Sequence, residues 1–90
     1  MNPHKLLKEA ADIIGERGQD YGDIENNFEN IARIANAMLQ DTHLTSYDIA
    51  IVLAAVKLAR IKQSPWKRDN YIDGVNYLAF AGEIATRGEQ

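Results

Sequence analysis

The stretch from Asp48 to Arg60, DIAIVLAAVKLAR, constrains the fold more than any other part of the chain. Between Ile49 and Leu58 the only charged residue is Lys57. A helix that is apolar all round is normally buried on most of its sides. The stretch therefore predicts a central helix against which the other helices pack. It is too short to cross a bilayer, which takes about 20 apolar residues, so we expect no membrane partner.

A chain of 90 residues is expected to form one domain, spanning 1–90. A domain of this size buries only about 60–65% of the surface that its unfolded chain exposes, which favours a homo-oligomer. The absence of cysteine excludes a disulfide scaffold, a zinc ribbon and a thiol nucleophile. The N-terminal residues lack the apolar run of a signal peptide, and we expect a cytoplasmic protein.

The start of the chain predicts a helix from residue 3, with Asn2 as its cap and Pro3 at its first position. The helix is expected to end between Gly15 and Gly18, because glycine commonly follows the last turn. Residues 18–23 contain two glycines and two aspartates, which is typical of a tight turn.

Three further helices are predicted from their start signals. Asp23 can cap a helix over 24–40, and the sequence Thr45 to Asp48 is a capping-box pattern that opens a helix over 46–62. Ser64-Pro65 has the cap-plus-proline pattern of a last helix, beginning between 65 and 70 and continuing to about 86. No segment alternates with a strand's period of two. Four helices with short connections predict an all-α, compact antiparallel four-helix bundle, expected to be oligomeric.

The charge is unevenly distributed along this acidic chain, whose net charge is −3. The interval from 57 to 68 contains no acidic residue and five basic ones: Lys57, Arg60, Lys62, Lys67 and Arg68. A local cationic patch on an acidic protein favours a small anionic ligand or an acidic partner surface over non-specific binding of nucleic acid.

Two interpretations of the charges near the patch remain open. Lys57 and Arg60 are one turn apart, and an antiparallel last helix would bring Asp73 and Asp69 near them. In the first interpretation these residues form salt bridges that satisfy Lys57 against an apolar helix. In the second, Lys57 and Arg60 hold a phosphate. A metal, a base or a ribose is then bound by an aspartate or asparagine of the last helix: Asp69, Asp73, Asn70 or Asn76.

Other side chains could complete such a site. Tyr21, in the glycine-flanked segment, could stack on a nucleobase or close one end of the bundle. Arg17 could add a cation or remain an exposed arginine at a helix end. Tyr77 follows Asp73 by one turn on the same helix face. The candidate ligand-binding residues are Lys57, Arg60, Tyr21, Arg17, Asn70, Asp73 and Tyr77.

Several short motifs together resemble a small uncharacterised domain family of phages and prophages. They are an Arg before an Asp-Tyr-Gly loop, an Asn-Phe pair, an Asp-x-Ala helix start, a Lys-x-Ala-Arg helix end, and a Pro followed by two aspartates. In this chain they fall at residues 16–22, 27–28, 48–50, 57–60, 65 and 69–77, and the resemblance covers about residues 6–80. The family implies no activity that can be carried over.

A looser resemblance is to the all-α nucleoside triphosphate pyrophosphohydrolases of the MazG type. The segment 70–78 is similar to their second metal motif, a Glu-x-x-Asp followed by an apolar helix. Here Asn70 replaces the glutamate, and Lys57 and Arg60 stand where the earlier motif has acids. Those enzymes need several carboxylates for Mg²⁺, whereas a cationic pair suits direct binding of phosphate.

The sequence thus favours a small phage-type helical protein that binds a nucleotide-like or other phosphorylated small molecule without a metal ion and without turning it over, as in the sequestration of a host signalling nucleotide. It predicts no particular cofactor or catalytic residue. One alternative is a divergent Mg²⁺-dependent nucleotide pyrophosphohydrolase that uses Asp69, Asp73, Glu25 or Glu29. Another is an interaction module that inhibits a host protein through the basic 57–68 surface or Trp66.

Overall fold

The computed structural model describes residues 2–21 and 24–87, apart from the side chains of residues 18–21. Within these ranges the chain forms four helices and no strand: α1 (Pro3–Tyr21), α2 (Ile24–Leu39), α3 (Ser46–Gln63) and α4 (Arg68–Thr86). The prediction of an all-α four-helix bundle is confirmed. No helix in the described part of the chain is long and apolar enough to span a membrane.

The start of α1 agrees with the sequence, but its end does not. The side-chain oxygen of Asn2 accepts a hydrogen bond from the backbone N–H of Lys5 at 2.9 Å, as expected of a cap. The predicted end between Gly15 and Gly18 is wrong, because α1 continues to Tyr21 and residues 18–21 are helical. Glycine inside a helix costs only about 1 kcal/mol relative to alanine, which the packing of the α1 side chains on α4 can offset.

The connection between α2 and α3 is held by one asparagine. The side-chain oxygen of Asn36 accepts hydrogen bonds from the backbone N–H of Leu44 at 2.9 Å and from the Thr42 hydroxyl at 2.7 Å. Its amide also donates to the Leu44 carbonyl at 3.0 Å. The predicted capping box follows at once: Asp48 N–H donates to Thr45 Oγ1, and Thr45 N–H donates to Asp48 Oδ2. These bonds fix where α3 begins.

The hairpin of α3 and α4 is the centre of the fold, with α2 packed on α3 and α1 packed on α4. The two central helices are antiparallel, since Lys57 near the end of α3 contacts Asp73 near the start of α4. The main core cluster consists of Phe28, Ala32, Ile49, Ala50 and Ala81. Phe28 is only 1% exposed, and its ring lies 6.2 Å from that of Tyr77 and 6.0 Å from that of Phe80.

The expectation that α3 is covered on most of its sides is wrong. Ile51, Val52, Val56 and Leu58 are between 38% and 58% exposed. The reason is geometric: α2 and α4 cover the sides that carry Ile49, Ala50 and Ala54, whereas α1 packs on α4 and leaves the remaining side of α3 open. The radius of gyration, 14.2 Å, correspondingly exceeds the roughly 12 Å expected of 90 residues.

Candidate functional site

The short connection between α3 and α4 differs in one respect from its prediction. Ser64 ends α3, since its backbone N–H donates to the Arg60 carbonyl at 2.8 Å; it does not cap α4. A turn follows in which the Lys67 N–H donates to the Ser64 carbonyl at 3.1 Å, and α4 begins at Arg68, inside the predicted interval. Lys67 occupies the cap position of α4 and makes no side-chain capping bond. The N–H groups of the first turn of α4 therefore lack the side-chain partner that a cap would supply.

An open pocket of about 660 Å³ lies at this end of the hairpin. Four cationic and two acidic side chains line it together with neutral polar ones: Lys57, Arg60, Gln63, Ser64, Lys67, Arg68, Asp69, Asn70 and Asp73. Its volume falls within the roughly 300–1,000 Å³ of typical small-molecule sites. The excess of cations and the start of a helix, where the helix dipole is positive, both favour an anion.

Asn70 is the most buried polar side chain in the pocket wall. It is 8% exposed and lines the pocket, and its side-chain amide has no hydrogen-bond partner among the described residues. No described side-chain nitrogen or oxygen is both fully enclosed and without a partner, so the unpartnered Asn70 amide keeps some exposure, and Asn70 lines the pocket. Polar groups with so little access to solvent usually have a partner, and a ligand or water in the pocket would supply one.

Asp73 lies between two cations at the back of the pocket. Its Oδ2 is 3.0 Å from Lys57 Nζ, and its Oδ1 is 3.6 Å from Arg17 Nη1. The side chains of Lys57 and Asp73 are each 16% exposed, whereas that of Arg17 is half-exposed. The contact between Lys57 and Asp73 that the sequence suggested is therefore present, and Arg17 reaches the same carboxylate from α1.

The remaining cations are less constrained. Arg68 pairs with Glu9 of α1. Arg60 and Lys67 form no ion pair with any residue that the structure describes, and the suggested pair of Arg60 with Asp69 is not formed although both line the pocket. Arg60 and Lys67 are therefore the pocket cations most available to a ligand.

The two candidate tyrosines lie elsewhere. Tyr77 is half-buried against Phe28 and lines a small cavity of about 50 Å³, which Asp73 and Arg17 also border, rather than the large pocket. Tyr21 is the last residue of α1, and its side chain lies outside the described residues. The pocket thus brings together Lys57, Arg60, Asn70 and Asp73 of the candidate set, with Arg17 joined to it through Asp73.

The acids of the enzymatic alternative are separated. Asp69 and Asp73 line the pocket, but Glu25 pairs with Arg87 and Glu29 is exposed on α2. Within residues 2–21 and 24–87, no three His, Asp or Glu side chains converge as metal ligands.

Two features escaped the choice of candidate site residues. Lys67 belongs to the basic interval but was not among the candidate pocket residues. The signal that could have found it is its position between two predicted helices, at 63–68, where the end of one helix meets the start of the next. Asn76, 6% exposed, donates from its amide to the Ala10 carbonyl at 3.1 Å and so attaches α1 to α4. Nothing in the sequence distinguishes it from a solvent-facing asparagine.

The fold and the pocket define a small all-α domain with a cationic, anion-compatible cleft at a helix hairpin. Residues 5–85 match the family described as a domain of unknown function (DUF6378). The chain belongs to this family.

The curated relatives are phage proteins. The Gene 55 protein of Mycobacterium phage L5 is 34% identical over 73 residues, covering 80% of this chain and 47% of the relative. The Gene 55 protein of Mycobacterium phage D29 is 33% identical over 80 residues, covering 88% and 52%. The chain thus spans about half the length of these relatives, and no solved structure matches it significantly. The predicted resemblance to an uncharacterised phage family is confirmed.

Proposed function

We propose that the chain binds a nucleotide-like or other phosphorylated small molecule in the pocket between the end of α3 and the start of α4, without turning it over. In a phage, such binding would withdraw a host signalling nucleotide from its receptors. The observation that carries the proposal is Asn70, which is 8% exposed, lines a pocket with four cations and has no described hydrogen-bond partner for its side-chain amide.

The residues have distinct roles in this proposal. Arg60 and Lys67, which have no ion-pair partner in the described part of the chain, contact the phosphate, and the first N–H groups of α4 add neutral donors. Asn70 hydrogen-bonds a base or sugar. Lys57 contributes positive potential, but Asp73 already holds it at 3.0 Å, so a ligand must compete with that carboxylate.

Binding without hydrolysis is supported by how the acids of the pocket are used. Asp73 is held by two cations, which leaves Asp69 as the one pocket carboxylate without such a contact among the described residues. A divalent ion bound to a polyphosphate usually takes one or two carboxylates in addition to the phosphate oxygens. Attack by water on the phosphate needs a further residue as general base. Asp69 alone could fill one of these roles but not both.

Calorimetric titration with inorganic pyrophosphate and with nucleoside mono-, di- and triphosphates tests the proposal, each with and without Mg²⁺. The variant Arg60→Gln/Lys67→Gln should lose at least about tenfold in affinity, since a hydrogen bond to a charged group contributes about 1.5–3 kcal/mol. The matched control is Lys5→Gln/Arg33→Gln, which removes the same charge from exposed positions outside the pocket and should bind normally.

Three outcomes would overturn the proposal. Equal losses in the pocket variant and the control would show that binding follows net charge alone. Mg²⁺-dependent release of phosphate or pyrophosphate would replace binding by hydrolysis. If none of the phosphorylated compounds binds, the alternative of a protein-binding surface around 57–68 or exposed Trp66 is preferred.

A further inference from the structure

The exposed side of α3 is apolar along most of its length. Four large side chains, Ile51, Val52, Val56 and Leu58, are substantially exposed, and two alanines next to them in the sequence, Ala55 and Ala59, are exposed as well. Contiguous apolar surface of this kind usually marks an interaction site. The described part of the chain places no other helix over it: α2 and α4 pack on α3 elsewhere, and α1 packs on α4.

The spacing of the residues on this side is that of a coiled-coil seam. Asp48, Ile51, Ala55, Leu58 and Lys62 follow one another at intervals of three, four, three and four residues. This alternation places side chains along one stripe of a helix that faces a partner helix. The stripe is about 21 Å long at 1.5 Å per residue, with a small residue at its middle and charges of opposite sign at its two ends.

The charges decide between a parallel and an antiparallel partner. A parallel second copy in register would place Asp48 against Asp48 and Lys62 against Lys62. An antiparallel copy centred on Ala55 places each Asp48 at the height of Lys62 of the second copy, because both lie seven residues from the centre. Opposite charges at matching heights favour the second arrangement, and like charges oppose the first.

We propose that the chain forms a twofold-symmetric homodimer in which α3 packs antiparallel against α3 of a second copy, with Ala55 at the symmetry axis. In this arrangement Val52 lies at the height of Leu58 of the other copy, and Ile51 at that of Ala59. The small Ala55 allows the two helices to approach closely at the crossing. The interface is isologous, so it closes at two copies.

The dimer leaves the phosphate-binding pocket open. Lys57, which lines that pocket, contacts α4 through Asp73 and so lies on the side of α3 that α4 covers. The seam residues lie on the uncovered side. Dimerisation and ligand binding can therefore be tested independently.

Cysteine cross-linking tests the geometry directly, because the chain has no native cysteine. The matched variants are Ala55→Cys and Ala59→Cys, which change exposed alanines one turn apart on α3. In the proposed dimer the two copies of position 55 meet at the axis, whereas the two copies of position 59 are about 12 Å apart along the helices. A disulfide needs Cα atoms within about 7 Å, so only Ala55→Cys should form a covalent dimer under mild oxidation.

Sedimentation velocity over a range of micromolar concentrations supplies the second measurement. The 10.1 kDa chain should show a concentration-dependent shift to about 20 kDa. Val52→Lys should abolish the shift, and Leu7→Arg, which charges an equally exposed apolar residue on α1, should leave it unchanged. Lys62→Gln should weaken the dimer by removing both end contacts.

Each contrary result would overturn the proposal. A monomer at all concentrations would show that α3 is not a self-association surface. Efficient cross-linking of both cysteine variants, or a stronger dimer in Lys62→Gln, would show a parallel arrangement. If Leu7→Arg dissociates the dimer and Val52→Lys does not, the interface lies on another helix.

Discussion

The ion pair of Lys57 with Asp73 allows the stability of the fold and the binding of a ligand at the α3–α4 connection to be tested with the same variants. The two atoms are 3.0 Å apart, both side chains are 16% exposed, and Arg17 approaches the same carboxylate at 3.6 Å. Removing one partner of a fully buried pair costs about 3–5 kcal/mol, and exposed pairs contribute about 0–1 kcal/mol. With their remaining exposure taken into account, we expect Asp73→Asn or Lys57→Met to destabilise the fold by about 2 kcal/mol.

A double-mutant cycle separates the pair from its surroundings. If the pair stabilises the fold, Lys57→Met/Asp73→Asn should be about 1–2 kcal/mol more stable than the sum of the single effects predicts. Urea unfolding gives these free energies. Each single variant should also lower the melting temperature by roughly 10 °C, since about 1 kcal/mol shifts a domain of this size by 4–8 °C. A coupling energy below about 0.5 kcal/mol would refute the structural role of the pair.

The same variants report on the ligand. Asp73→Asn leaves Lys57 and Arg17 without a competing carboxylate, so it should raise the affinity for a nucleoside triphosphate about fivefold, or roughly 1 kcal/mol. Lys57→Met should lower it. If Asp73→Asn instead weakens binding, then Asp73 contacts the ligand itself, and the proposed competition between phosphate and carboxylate is wrong.

Three further outcomes concern stability. Thr45→Ala should cost about 1 kcal/mol in urea unfolding because it removes the side-chain cap of α3, and an unchanged midpoint would contradict that role. Asn76→Ala should cost about 0.5–1.5 kcal/mol, because it removes the bond from the Asn76 amide to the Ala10 carbonyl. Amide hydrogen exchange should then accelerate more in α1 than in α3, and equal acceleration in both helices would show that the bond does not hold α1 specifically. Gly15→Ala should stabilise α1 by about 0.5–1 kcal/mol, because a Cβ there meets nothing within 4 Å, and destabilisation would show that this glycine serves another purpose.

Local signals were sufficient to predict the number of helices and where α1 and α3 begin. The caps at Asn2 and Thr45 form the predicted hydrogen bonds, because capping depends on residues within one turn. The end of α1 was missed because glycine is only a weak stop when flanking residues pack against another helix. Ser64 was assigned to the wrong helix for a related reason: a serine between two helices can end one or begin the next, and the backbone decides.

The site was predictable only in part. The interval 57–68 identified the cationic pocket, since five basic residues without an acid must place charge at one end of a hairpin. Its geometry depends on contacts between residues that are far apart in the sequence. Arg17 contacts Asp73, and Glu9 contacts Arg68. These contacts bring residues of α1 to α4 across most of the chain, and no periodicity within either helix specifies them.

The sequence of α3 and its exposure in the structure together support a partner for this helix, which neither observation supports alone. An apolar helix needs neighbours on all sides, but the three other helices that the structure describes leave one side of α3 uncovered, because each covers only a limited arc of its surface. A polar outer face would have been the simpler solution for a monomer. The chain instead places apolar residues between Asp48 and Lys62, in an order that is self-complementary only when a second copy runs in the opposite direction. The excess of apolar residues that first marked α3 as a central helix therefore supports a core shared by two copies.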